Sequence, residues 1–142
     1  MKKKLIFDTN ALISAVINAK SISAFVFETA KKEHDLFISE ETITELQEVI
    51  ARKKFDRYFI GNDANRRENF FTDYRKAAQL IEVTETATEC RDKDDNKFLS
   101  LALSVGADII VSGDSDLLVL NPYHGIRILT IRQYEEENGL IV

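Results

Sequence analysis

Short apolar runs alternate with segments of helical period along the whole chain, and this alternation limits the fold more than any other feature. "KLIF" (Lys4 to Phe7), "DLFIS" (Asp35 to Ser39), "LIEVTE", "ADIIVSG" and "IRILT" (Ile126 to Thr130) read as strands. Between them, "NALISAVINA", "SAFVFETAKKE" (Ser23 to Glu33), "EETITELQEVIARK" (Glu40 to Lys53), "NRRENFFTDYRKAAQLI" (Asn65 to Ile81) and "KDDNKFLSLALSVG" read as helices, and "IRQYEEE" as a last short one. In Glu40 to Lys53, Ile43, Leu46, Val49 and Ile50 form one stripe. Ser39 suits the N-cap of that helix and Gly106 the stop of the "KDDNKFLSLALSVG" helix. A continuous apolar run such as "ADIIV" belongs to a strand covered on both faces, which is the habit of parallel sheets. The pattern predicts an α/β fold: one domain, with a central parallel sheet of about five strands and helices on both faces. The 142 residues suffice for one such domain, and a chain of this size buries roughly 70% of its unfolded surface. A single proline and five glycines leave no linker to divide it.

Composition narrows the chemistry. Cys90 is the only cysteine, which excludes a disulfide framework and a multi-cysteine zinc site within one chain. His34 and His124 are too few for a histidine-rich metal site and read as surface residues. Any metal must therefore be held by oxygen, which points to Mg²⁺ or Mn²⁺. A formal net charge of −5 disfavours a general nucleic-acid binder but not a nuclease, whose acids a bound cation offsets. No apolar run approaches the roughly 20 residues of a membrane span. Asp8 and Asn10 interrupt the apolar stretch behind the basic start, so the expectation is a cytoplasmic protein without a signal peptide. Basic residues group at Lys2 to Lys4, Lys31–Lys32, Arg52 to Lys54 with Arg57, Arg66–Arg67 and Arg75–Lys76. Cys90 reads as an inert thiol. Phe70, Phe71 and Tyr74 read as core aromatics, with a dimer contact as the second reading.

The acids fall where such a fold builds its sites, beyond the carboxyl ends of the strands. Asp8 ends the first strand, and Asp114 and Asp116 follow the fourth in "VSGDSDLL". They meet if strands one and four are neighbours. At about 100° per residue, Glu45 lies at the border of its helix's apolar stripe, while Thr44 and Glu48 face outward. Asp95 leads the series Asp95, Phe98, Leu99, Ala102, the spacing of one buried face, and Asp92 and Asp94 point elsewhere. Each acid alone has a plain structural reading: Asp8 as a turn or cap, Glu45 as solvated, Asp95 in the first turn of a helix capped by Asp92, Asp114 and Asp116 as loop and cap residues. Together they make a cluster that repels itself without a cation. Mg²⁺ or Mn²⁺ would make it tolerable and would support hydrolysis of a phosphodiester.

"LIFDTNALISA", the acid within "ITELQEVI", "CRDKDDNKFLSLAL" and "DIIVSGDSDLL" together resemble the PIN-domain ribonucleases, most closely the bacterial branch named for toxins of toxin–antitoxin systems. The resemblance covers nearly the whole chain and implies one PIN-like nuclease domain over residues 1–142. It implies Mg²⁺ or Mn²⁺ held by Asp8, Glu45, Asp95 and Asp114, with Asp116 as a further acid. It implies that Thr9, Asn10 and Ser112 line the site. It also implies an RNA substrate, a small antitoxin protein as partner, and a homodimer or higher homo-oligomer. Lys93 stands where the family often has proline at a helix start, a place that tolerates lysine.

Two rival functions fit parts of the pattern. "GDSD" after an apolar strand also resembles the last acidic motif of haloacid-dehalogenase phosphatases. That chemistry needs a second aspartate two residues after Asp8, where this chain has Asn10, which cannot exchange a proton in that role. The other rival is a PIN-fold binding module without activity, against which the retained acids argue.

Overall fold

Alternate residues of the first strand leave the sheet on opposite faces, and this divides the core in two. The computed structural model describes residues 2–138. Leu5 and Phe7 of β1 (Lys4–Phe7) join one apolar cluster and Ile6 joins the other. The first cluster lies under α1 (Thr9–Ile17), α2 (Ile22–Glu33), α3 (Glu40–Ile50), α4 (Arg66–Ala77) and α7 (Ile131–Glu137). The second lies under α5 (Asn96–Val105) and α6 (Ser115–Leu118). The sheet order is β3-β2-β1-β4-β5, all parallel, with β2 at Asp35–Ile38, β3 at Gln79–Leu80, β4 at Ile109–Val111 and β5 at Arg127–Leu129. The expected five-stranded parallel α/β fold is the one observed. Strands β1 and β4 are neighbours, in register from Leu5 opposite Ile109 to Phe7 opposite Val111. No single helix among the described residues is long and apolar enough to cross a membrane.

Local chemistry sets the helix ends. Ser39 caps α3 in a capping box with Thr42, and Thr130 caps α7 in another with Gln133. Gly106 ends α5 at φ 66°, a left-handed conformation that glycine adopts without a Cβ penalty. Phe27 packs edge-on against Phe7 and Tyr74, with centroids 5.4 and 5.5 Å away, and 5.2 Å from Phe70. Tyr74 is fully buried in this stack, so it is a core residue and not a surface for dimer contact. Phe70 and Phe71 pack against the same core.

The third strand is shorter than predicted. Helix α4 stops at Ala77, four residues before the expected Ile81, and only Gln79 and Leu80 pair, with Phe37 and Ile38. Beyond Ile81, whose N–H reaches the Ile38 carbonyl, β2 offers no further partner, because Ser39 already caps α3. Residues 84–90 are held by α5 instead. Asn96, Ser100 and Ser104 stand one turn apart on that helix and accept from the backbone N–H groups of Cys90 (2.9 Å), Ala87 (2.8 Å), and Thr84 and Glu85 (3.0 Å each).

Candidate metal centre

The carboxyl ends of β1 and β4 deliver their acids to one edge of the sheet. Asp8 is buried and caps α1: its Oδ1 accepts from the Ala11 N–H at 2.8 Å. Its Oδ2 accepts from the Ser112 hydroxyl, and the Gly113 N–H lies 3.2 Å from the same oxygen. The approach is close: a Cβ on Gly113 would stand 3.2 Å from the Asn10 Cβ, so a larger residue would require Asn10 to shift by a few tenths of an ångström. Burial raises the Asp8 carboxyl to about 6; the bonds from Ser112, Ala11 and Gly113 oppose that rise, and the nearby Asp114 charge adds to it. Asp114 caps α6, its Oδ1 accepting from the Asp116 N–H at 2.9 Å, and its own N–H donates to Ser112 Oγ.

Helices α3 and α5 bring the remaining acids. Glu45 is half-buried on α3, with Thr44 and Glu48 exposed beside it, as the periodicity predicts. One Glu45 oxygen accepts from the Thr9 hydroxyl and the other from Lys97 Nζ at 3.0 Å. Asp95 ends a short 3₁₀ turn, Lys93–Asp95, that leads into α5. It is buried, and its Oδ2 has no hydrogen-bond partner. An unpartnered buried carboxylate oxygen is costly and needs an explanation. Burial raises the Asp95 carboxyl to about 8, reinforced by contact with the Asp114 carboxyl and by the charges of Asp114, Asp92 and Asp8.

A cleft of about 200 Å³ is lined by Asp8, Thr9, Asn10, Glu45, Asp95 and Asp114, with Val49, Arg52, Asp92, Asp94 and Phe98 completing its wall. The four acids expected to act together therefore share one cavity, and Thr9 and Asn10 share it with them. Ser112 lies underneath, as the link between Asp8 and Asp114. Asp116 is displaced to the side, where its carboxylate meets Arg91 at 3.0 Å. It falls instead into a tighter trio: Asp92, Asp95 and Asp116 each place one carboxylate oxygen within 4.8 Å of the others.

Asp92 corrects the expectation that it points elsewhere. Residues 93–95 form a 3₁₀ turn, so the α-helical period does not apply before Asn96, and Asp92 faces the same group as Asp95. Asp92 still caps that turn, with Oδ1 accepting from the Asp94 N–H. Local spacing does not reveal Lys97, because its pairing with Glu45 spans two helices. The buried Cys90, its thiol raised by burial, donates to the Asp116 carbonyl at 3.4 Å. The donor set is all carboxylate oxygen with one unpartnered buried atom, which suits a hard divalent cation.

A PIN-domain family model matches residues 4–116, from β1 through the acids around α6. The protein MJ1680 of Methanocaldococcus jannaschii is 32% identical over 121 residues, covering 84% of this chain and 76% of that protein. PAE2754 from Pyrobaculum aerophilum superposes with a TM-score of 0.61 at 17% identity, over 99% of this chain and 100% of that one. VapBC2 from Rickettsia felis, solved bound to a DNA fragment from their promoter, gives 0.60 at 15% identity, over 89% and 98%. The two structural likenesses concern the fold. The family match runs through every element that carries an acid of the cleft, and the chain belongs to the PIN-domain family.

Proposed function

We propose that this PIN domain is a Mg²⁺- or Mn²⁺-dependent endoribonuclease, with Asp8, Glu45, Asp95 and Asp114 as the acids that hold the cation. Asp116 and Asp92 extend that set around Asp95. The observation that carries the reading is Asp95: a buried carboxylate with a partnerless oxygen, set among acids at the carboxyl edge of a parallel sheet. A bound divalent cation supplies Lewis acidity toward phosphate and lowers the pKa of water.

The chain's own residues orient the rest. Capping bonds through Oδ1 hold Asp8 and Asp114 in place. Thr9 holds Glu45. Asn10, exposed at the rim, and Arg52, in the cleft wall, are the groups offered to the sugar–phosphate backbone of a substrate. A phosphatase with an aspartyl-phosphate is disfavoured, since Asn10 occupies the place of its acid.

In the same reading the chain is the toxin of a toxin–antitoxin pair, cytoplasmic and homo-oligomeric, with a small antitoxin protein as partner. The fold likeness to VapBC2 supports that partner class.

The test is incubation with mixed labelled RNAs and DNAs in Mg²⁺, Mn²⁺ or EDTA, beside the Asp8→Asn variant. RNA cleavage that needs metal and disappears in the variant is the expected result. Equal cleavage by wild type and Asp8→Asn would remove the assigned site.

A further inference from the structure

Of the acids in the cleft, Glu45 differs from Asp8, Asp95 and Asp114 in its partner. Its Oε1 lies 3.0 Å from Lys97 Nζ, and both side chains are about four-fifths shielded from solvent, at 22% and 19% exposure. Among the described residues, the neighbouring acid Asp116 also has an ion pair, with Arg91, but that arginine is 86% exposed, and pairs of that kind hold little energy. Lys97 also borders open space. Open grooves of about 530 Å³ and 360 Å³ flank it, one on the side of Thr44 and Glu48, the other on the side of Ser39 and Thr86. Lys97 therefore has somewhere to go when its partner is taken.

We propose that Lys97 is a built-in counterion of the site: it neutralises Glu45 while the cleft holds no metal and competes with a divalent cation for that carboxylate. This rests on the metal-site reading above and concerns how that site is regulated. The physical basis is direct. An ammonium and a dication at one carboxylate repel each other, so full use of Glu45 by a cation requires Lys97 to withdraw. Withdrawal leaves the ammonium beside the cleft, where an anionic group such as a backbone phosphate of RNA can receive it. Lys97 is a positioning residue in this account, since it acts through Glu45.

The experiment is titration of the metal-stripped full chain with Mn²⁺, followed by calorimetry and by the electron paramagnetic resonance signal of free Mn²⁺. Wild type, Lys97→Met, Lys97→Arg, Glu45→Gln and the Glu45→Gln/Lys97→Met double variant are compared. Loss of the competing charge should tighten Mn²⁺ binding by about three- to tenfold in Lys97→Met. Lys97→Arg should stay near wild type, because it keeps the competing charge. In the Glu45→Gln background the second substitution should have a smaller effect, because competition for the shared carboxylate is gone and only the repulsion at a distance remains. Mn²⁺ binding in Lys97→Met that is equal to or weaker than wild type overturns the proposal. If Lys97→Met does not fold, the comparison passes to Lys97→Gln, which keeps a hydrogen-bond donor, with the same two outcomes. Wild-type protein that binds no Mn²⁺ at all would sink the metal-site reading itself, a result distinct from unchanged binding in the variant.

Discussion

Ser112 donates its hydroxyl to Oδ2 of Asp8 and, with the same oxygen, accepts the N–H of Asp114 at 2.9 Å. One buried side chain thus ties the end of β1 to the loop after β4, and two acids of the cleft to each other. The bond from Ser112 lowers the Asp8 pKa against the effect of burial. Ser112→Ala should therefore move the Asp8 titration upward, as followed by carboxyl NMR. It should also cost about 1–2 kcal/mol in a urea melt near neutral pH, because a buried acceptor and a donor both lose their partner. An unmoved Asp8 titration would show that the hydroxyl does not hold that carboxylate.

Neutralising an acid should separate activity from stability. Asp95→Asn removes a buried carboxyl whose Oδ2 has no partner and whose ionisation, near pH 8, sets it against acidic neighbours, so the metal-free protein should melt at the same temperature near neutral pH and higher above pH 8. Asp8→Asn keeps the α1 cap, since asparagine caps as well as aspartate, whereas Asp8→Ala should cost about 1 kcal/mol more. Both asparagine variants should lose roughly 100-fold or more of cleavage. Thermal melts in EDTA and single-turnover cleavage test the two halves. Marked destabilisation by Asp95→Asn would return that residue to a purely structural role.

The pH dependence of stability follows from the same two carboxyls. Asp8 is raised to about 6 and Asp95 to about 8, against an ordinary 3.8. Between 3.8 and those values the native state keeps protons that the unfolded chain has released, so stability falls as pH rises. These groups contribute fully below about pH 4, and the contribution is gone above about pH 8. Denaturant melts of metal-free protein from pH 5 to pH 8.5 should show that decline, and Mn²⁺ should oppose it at the upper end. A rise in metal-free stability across the same interval would contradict the assignment of these two acids as the dominant perturbed groups.

The polar stripe on α5 makes a separate prediction. Ser104 accepts two backbone N–H groups, of Thr84 and Glu85, and Ser100 accepts that of Ala87. Alanine at either serine should cost about 1 kcal/mol and raise amide exchange in residues 84–90 more than in β1 or β4. Unchanged exchange there would mean that the serine hydroxyls do not hold the segment, leaving it to Asn96 and to apolar packing of Ala87 and Cys90.

Local pattern determined most of the fold. Unbroken apolar runs at Lys4–Phe7 and Ile109–Val111 marked buried parallel strands, and the stripe from Ile43 to Ile50 marked α3, because burial on two faces or on one stripe leaves a period in the sequence. The acids at strand ends were legible for the same reason. Their capping roles were legible as well, and the structure shows that the two readings coincide: the cap that satisfies a helix terminus also aims the carboxylate. Tertiary structure alone decided the rest. β3 stops at Leu80 because its neighbour β2 runs out, a fact of the partner strand and not of "LIEVTE". Asp92 joins Asp95 and Asp116 because a 3₁₀ turn replaces the α-helical period there. Lys97 meets Glu45 across 52 positions of sequence, a pairing created by the approach of α3 to α5. Periodicity records which face of an element is buried; which charges then come face to face depends on how the elements dock.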